Sequence, residues 1–247
     1  MCPMKDLHVY KMIYCSNCGY AHRVRLNCGD RLCPLCKKPN YYRLLHKYIP
    51  VISRISSSHL QQITLTHRNF LYLTKSKVDS IVLDLKKLRK TNLFKTKVRG
   101  GLAVVEVKHV NDRVGWNLHI HILVDADFIP QKQLSKVWLG ITGNAFIVDI
   151  RNTGNRPKSS IYHLLKYFLK TPVIRGADES QLKIDFNNSF RGSRNVITFG
   201  SLYNVYDKET EQEYHFKCPV CHHTDWLMDF DMFSLEEDSR RLKVGCG

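Results

Sequence analysis

Residues 116–124, WNLHIHILV, restrict this chain more than any other stretch. Polarity changes with a period of two, which is the signature of a strand and not of a helix. Successive side chains on a strand point to opposite faces. Leu118, Ile120, Ile122 and Val124 therefore form one wholly apolar face, and His119 and His121 share the other. Residues i and i+2 lie about 6.5–7 Å apart along a strand, so two imidazoles can lean onto one ion. An isolated His-x-His also suits a solvated or hydrogen-bonded sheet face, so other residues must decide between the two.

The preceding apolar run, GGLAVVEVKHV (100–110), reads as a second strand. Ala103, Val105 and Val107 share one face; Val104, Glu106 and Lys108 share the other. A turn over 111–114 would pair the two strands with Glu106 opposite His119, on the histidine face. A slip of one residue would send Glu106 to the core instead. A carboxylate among valines is a costly core residue, which favours the histidine side. Two imidazoles and one carboxylate then make a three-donor site with open positions, suited to Mg²⁺ or Mn²⁺ acting on a phosphate given the carboxylate, or to another divalent ion given the imidazoles.

Periodicity along the chain gives a helix over 41–56, a strand in HLQQITLTHRNF and an amphipathic helix over 76–92. These are followed by the two strands above, a helix in IPQKQLSKVWLG and a strand in NAFIVDIR. KSSIYHLLKYFLK is a further helix, stopped by Pro172, and a last strand covers 196–203. This order resembles a split βαβ arrangement. The expected fold is α+β: an antiparallel-rich central sheet with helices on one face, plus zinc-binding cysteine modules. The expected divisions are a cysteine-rich segment 1–40, a main domain 41–205 and a C-terminal segment 206–247.

The chain carries 38 Lys+Arg against 22 Asp+Glu, a formal charge of +16. A domain this basic usually meets a polyanion, most often nucleic acid. A hydrophobic content of 43% excludes a disordered chain. No run of 18 apolar residues and no signal-peptide pattern are present, so a cytoplasmic protein with no membrane partner is expected.

Several of the nine cysteines fall in C-x-x-C pairs, a spacing that intracellular chains use for metal more than for disulfides. Cys15/Cys18 and Cys33/Cys36 have the spacing of two knuckles around one structural Zn²⁺. Cys28 is a fifth candidate and His22 a weaker one, so four of the five cysteines are expected to bind. Cys218 and Cys221, with His222, His223 and Cys246 nearby, form a second candidate zinc site.

In IYHLLKYFLK, His163, Tyr167 and Lys170 fall on one helix face, and Tyr162 points away. A tyrosine flanked by cations beside a phosphate-binding metal is arranged as a nucleophile, provided its pKa of about 10 is lowered or its proton removed. The cations are expected to assist.

Four motifs together carry a family resemblance. LHIHI resembles the His-hydrophobic-His core of the HUH endonucleases, and LKYFLK resembles their tyrosine motif. ITLTHRN resembles their first motif strand. NCGDRLCPLC is similar to the cysteine segment of replication initiators from small rolling-circle plasmids of Gram-positive bacteria. The resemblance spans residues 15–170 and implies nicking of single-stranded or hairpin origin DNA. It makes Tyr167 the nucleophile, forming a 5′-phosphotyrosine link and freeing a 3′-OH. His119 and His121 become metal ligands with Glu106 as the third, and Lys166 and Lys170 contact phosphate or assist the tyrosine. Host helicase and polymerase are the implied partners. The two-tyrosine members space their tyrosines by four residues; here that position is His163, so the chain reads as a single-tyrosine enzyme. A transposase or relaxase with the same chemistry, or a non-enzymatic zinc-containing nucleic-acid-binding protein, are the alternative readings.

Overall fold

The computed structural model describes residues 10–26, 32–153, 156–170, 174, 176–205 and 216–228. The chain forms two compact units. One joins Met1–Gly29 with Lys208–Gly247, and the other is Asp30–Asp207. The two end segments, expected as separate modules, thus belong to one unit, and the boundary falls near residue 30 instead of 40. The helix α1 (Pro34–Ser53) explains that shift, because it buries Leu45, Tyr48 and Ile52 in the larger unit.

The smaller unit holds β1 (Tyr10–Cys15), β2 (Ala21–Arg25) and β8 (Trp226–Met228) in the antiparallel order β2-β1-β8. His22, Phe216 and Trp226 form its aromatic cluster.

The larger unit is built on β3 (Leu60–Thr66), β4 (Val98–Asn111), β5 (Gly115–Ala126), β6 (Val148–Asn152) and β7 (Val196–Gly200). Their order is β6-β3-β5-β4-β7, with each neighbouring pair antiparallel. Its helices are α1, α2 (Lys75–Lys90), α3 (Asn92–Lys97), α4 (Gln131–Thr142), α5 (Pro157–Leu169) and α6 (Glu179–Ser189). Local signals account for their ends. Thr74 caps α2 by accepting from the Lys77 amide. Gly143 closes α4 at a φ of 75°, and Pro157 opens α5. No helix of the described residues is long and apolar enough to cross a membrane.

The β4–β5 hairpin sets the register of the whole sheet. Asn111 Oδ1 accepts from the amides of Arg113 and Val114. Gly115 has a φ of 75°, and a Cβ there would run into the carbonyl of Phe70, so only glycine fits. A one-residue irregularity between His109 and Asn111 shifts the pairing, after which Glu106 lies opposite His119.

The sheet is antiparallel, as the alternation implied. The helices, expected on one face, cover both. Ile63, Leu65, Leu118, Ile120, Ile122 and Val124 pack with α2, α4 and α6 on one side. On the other, Leu60, Leu102, Val104 and Leu123 pack with α1 and α5. The correction has a simple cause: Leu123, Val104 and Leu102 extend an apolar patch along half of the histidine face, and two helices bury it. Ile120 is fully buried at the centre of the first cluster. Ile120→Ala is expected to cost about 2–5 kcal/mol, read as a lower urea midpoint at unchanged slope.

Candidate active site

The other half of the histidine face, reached by the C-terminal end of α5, carries a cluster of polar side chains. Three strands place them in register: Thr64 opposite His121 and Thr66 opposite His119 from β3, and Glu106 opposite His119 from β4. Residues directly opposite one another, and alternate residues along each strand, point the same way, so the pleat turns all five to one side.

Each imidazole is held from behind. Thr64 Oγ1 lies 3.2 Å from His121 Nδ1, and Thr66 Oγ1 lies 3.2 Å from His119 Nδ1. This leaves the Nε2 atoms for the front of the site, the arrangement by which outer partners orient metal-ligating histidines. His121 Nε2 stands 2.9 Å from Glu106 Oε2, and Lys170 Nζ donates to Glu106 Oε1 at 2.7 Å. Lys108 Nζ is 3.8 Å from the same carboxylate. Glu106 is only 3% exposed. Burial alone would raise its pKa, but hydrogen bonds from His121 and Lys170 and the charge of Lys108 outweigh burial and hold it at about 2. Desolvation, aided by Lys108, holds His119 down at about 4, so its ring is neutral at pH 7.

Tyr167 reaches the cluster from α5. Its ring stacks on His121 with centroids 3.6 Å apart and planes 5° from parallel. His163 meets it edge-on at 5.5 Å and is itself hydrogen-bonded through Nδ1 to Gln62. Lys166 Nζ lies 5.0 Å and Lys170 Nζ 6.0 Å from the tyrosine ring centre. Tyr162 is 47% exposed and neighbours Tyr41 of α1. One expectation is corrected. Lys170 and Arg151 do lower the Tyr167 phenol, as expected of cations, but burial first and the Glu106 charge second outweigh them, so its pKa is raised on balance.

The structure thus gathers Glu106, His119, His121, Tyr167 and Lys170, with Lys166 at the edge. Sequence reasoning missed Gln62, Thr64 and Thr66. They share one face of β3, and the same period-of-two reading applied to ITLTHRN would have found them. His67 of that motif turns to the opposite side, where it packs edge-on against Trp138 and stands 3.6 Å from Asp84.

The cysteines group differently from expectation. The sulfurs of Cys15, Cys18, Cys218 and Cys221 lie within 4.8 Å of one another. Cys15–Cys221 and Cys18–Cys218 are each 3.5 Å apart. A tetrahedron with bonds of about 2.3 Å puts sulfurs about 3.8 Å apart, so this quartet can hold a metal ion. The two halves repeat one design. Gly19 N donates to Cys15 O and His222 N to Cys218 O, with positive φ at both residues. Cys15 N donates to Tyr20 O and Cys218 N to His223 O. Such crowding separates the ionisations. A hydrogen bond from Asn17 and one at the His223 backbone hold Cys221 at about 6. A backbone hydrogen bond at Tyr20 favours the Cys18 thiolate, yet desolvation and the neighbouring sulfurs push that thiol up to about 12. Cys33 and Cys36 belong to the larger unit, both buried at the start of α1, and the second knuckle of the quartet comes from Cys218 and Cys221 instead. Cys28 and Cys246 lie outside the described residues. Among the described residues the quartet is the group whose donor atoms converge, whereas His119, His121 and Glu106 are held by hydrogen bonds.

A family model described as replication protein matches residues 22–226, most of the chain and every residue of the polar cluster. The chain belongs to the replication-protein family of rolling-circle plasmids. No curated protein and no solved structure matches it. Membership makes this replication protein a rolling-circle replication initiator in general and implies that it binds origin DNA.

Proposed function

We propose that this replication protein nicks one strand of its origin with Tyr167. The observation that carries the reading is the Tyr167 ring stacked on His121 while Lys170 ties the same helix end to Glu106. The phenol oxygen bonds to the scissile phosphorus, the bond from phosphorus to the 3′ oxygen breaks, and the 3′ oxygen leaves as a hydroxyl after taking up a proton. The product is a 5′-phosphotyrosine link and a free 3′-OH for a polymerase. Glu106, at about 2, is too weak a base to take the phenol proton, which passes to solvent. Lys166 and Lys170 neutralise the non-bridging phosphate oxygens.

His119, His121 and Glu106 fit a divalent ion, since both Nδ1 atoms are already engaged by threonines and the carboxylate is ionised. Bound there, Mg²⁺ or Mn²⁺ would polarise the scissile phosphate. Host helicase and polymerase in the cytoplasm are the partners this reaction requires.

The test is a denaturing gel of the protein with a randomised single-stranded DNA pool and Mn²⁺. A slow-migrating covalent species on a peptide containing Tyr167 supports the reading; metal-dependent cleavage without a protein-linked 5′ end sinks it.

The Cys15, Cys18, Cys218 and Cys221 quartet is assigned to structural Zn²⁺, because four cysteines on two C-x-x-C knuckles are the ligand set of closed structural zinc sites. Strands of six, five and three residues bury little core. Zinc contributes about 10–16 kcal/mol to comparable modules, so metal and folding are one event there. Cys221→Ser is expected to remove one equivalent of zinc and the ordered surroundings of Trp226, read by metal analysis and near-ultraviolet circular dichroism. Unchanged zinc content would refute the assignment.

A further inference from the structure

Two cavities of about 360 Å³ each adjoin in the larger unit, and His67, Arg68 and Asn144 line both. They lie on the side of the sheet where His67 packs on Trp138, opposite the side that holds Tyr167. One cavity is polar: Arg68, Lys77 and Lys87 line it, against one carboxylate, that of Asp84. The other is largely apolar, through Ala145, Phe146 and Ile147. Phe146 leaves 59% of its surface exposed and Ile147 62%.

The polar cavity holds two groups that packing alone does not account for. Asp84 stands on the buried stripe of α2 with Val78, Ile81, Leu85 and Leu88, where a carboxylate is costly. Lys87 Nζ donates to one of its oxygens at 2.9 Å, and the other stands 3.6 Å from His67 Nε2, too far for a hydrogen bond. His67 Nε2 is buried and has no hydrogen-bond partner among the described residues. A buried polar atom is costly until something satisfies it. Burial pushes the His67 imidazole below its ordinary pKa, and Asp84 offsets this only in part, so at pH 7 the ring is neutral.

We infer that the paired cavities bind a free nucleoside phosphate, its phosphate among Arg68, Lys77 and Lys87 and its base against Phe146 and Ile147. Three cations against one carboxylate select an anionic head. The apolar cavity selects a ring joined to that head, since an anion without one would leave Phe146 and Ile147 in water. Arg68 lines both cavities, and a guanidinium can meet a phosphate and also lie on an aromatic face. His67 and Asn144, at the junction, offer hydrogen bonds where the head joins the ring. Each cavity has the volume of a small-molecule pocket. Binding there is independent of the nickase reading, because the sheet separates it from Tyr167.

The test is calorimetric titration of the full chain with adenosine, guanosine, cytidine and uridine monophosphates, beside inorganic phosphate and the nucleosides alone. At least one nucleotide is expected to bind about tenfold or more tightly than inorganic phosphate or its own nucleoside. Lys77→Glu is expected to weaken that nucleotide about tenfold or more. The change is safe for the fold, because Lys77 is exposed in the first turn of α2, where an acid suits the helix. Phe146→Ser, at a side chain already more than half exposed, is expected to weaken it about fivefold or more. The nuclear magnetic resonance signals of the His67 ring, assigned by their loss in His67→Gln, are expected to shift when the nucleotide is added. Circular dichroism melts check the fold of each variant. Affinity for inorganic phosphate equal to that for every nucleotide would leave an adventitious ion only and overturn the inference, as would the absence of nucleotide binding. Binding that survives both Lys77→Glu and Phe146→Ser, or that leaves the His67 signals in place, overturns the site. Displacement of the nucleotide by a short single strand of DNA, with Lys77→Glu weakening both alike, would make the cavities part of a DNA path and overturn it as well.

Discussion

Tyr167→Phe is expected to abolish the covalent DNA adduct, a loss on the order of 10⁴-fold or more in nicking rate, with DNA binding and stability unchanged. The size of the effect follows from the role: the phenol oxygen is the atom that forms the link, while the Thr64 and Thr66 hydroxyls of the cluster are engaged with the histidine Nδ1 atoms. His121 Nε2 is directed at Glu106, and Lys170 Nζ holds the same carboxylate. Stability is spared because phenylalanine keeps the ring, and it is the ring of Tyr167 that meets His121 and His163. The measurement is the denaturing gel, with the melting temperature of the variant beside it. An adduct of undiminished yield would move the nucleophile, and Tyr162→Phe would then show whether the exposed tyrosine earlier on the same helix serves instead.

Glu106→Gln gives the second large effect, and two readouts move in opposite senses. The substitution keeps the shape but removes the charge that Lys170, Lys108 and His121 surround. Nicking is expected to fall about 10²-fold or more, with the Mn²⁺ needed for half-activity rising at least about tenfold. The Tyr167 phenol, however, should ionise more easily. Its pKa is raised first by burial and next by the Glu106 anion, so loss of that anion lowers it. Tyrosinate absorbance should therefore appear at lower pH in Glu106→Gln than in the parent. Difference spectra against Tyr167→Phe isolate this one of the chain's 12 tyrosines. The rise in the Mn²⁺ needed for half-activity separates a metal-holding carboxylate from one that acts only as a base toward the tyrosine, since loss of the base alone would leave the Mn²⁺ dependence unchanged. A variant of full activity and unaltered Mn²⁺ dependence would remove Glu106 from the site. The fold should weaken little, because glutamine can still hydrogen-bond His121, whose Nε2 stands 2.9 Å from the carboxylate.

The polar cluster shows how far a local pattern reaches. In β5 the side of each residue was legible from the sequence, since alternation is a property of the backbone and needs no partner. The same rule put Glu106 beside His119, and the pairing is the one observed. The turn that produces it is less simple than a four-residue loop, because an irregularity at His109 and Asn111 absorbs the extra residue. Thr64 and Thr66 were equally regular but became visible only when β3 paired with β5. Their value lies in which nitrogen of each histidine they occupy, and the isolated strand does not contain that information.

What the sequence determined alone was whatever depends on neighbours along the chain. That includes the strand faces of β4 and β5, the helix face carrying His163, Tyr167 and Lys170, the knuckle shape of each C-x-x-C pair, and the basic charge that points to nucleic acid. Tertiary structure decided what depends on pairs far apart. Cys15 and Cys18 meet Cys218 and Cys221 across some 200 residues, and spacing favoured the nearer Cys33 and Cys36. Spacing misleads there because loop closure costs rise only slowly with length, so a distant pair on a matching knuckle competes well with a near one. The second layer of helices, over Leu102, Val104 and Leu123, was equally hidden: a half-apolar strand face is the same in sequence whether water or a helix covers it. That cover delivers Tyr167 to His121, and it also raises the phenol's pKa through burial, against the expectation from its lysines alone.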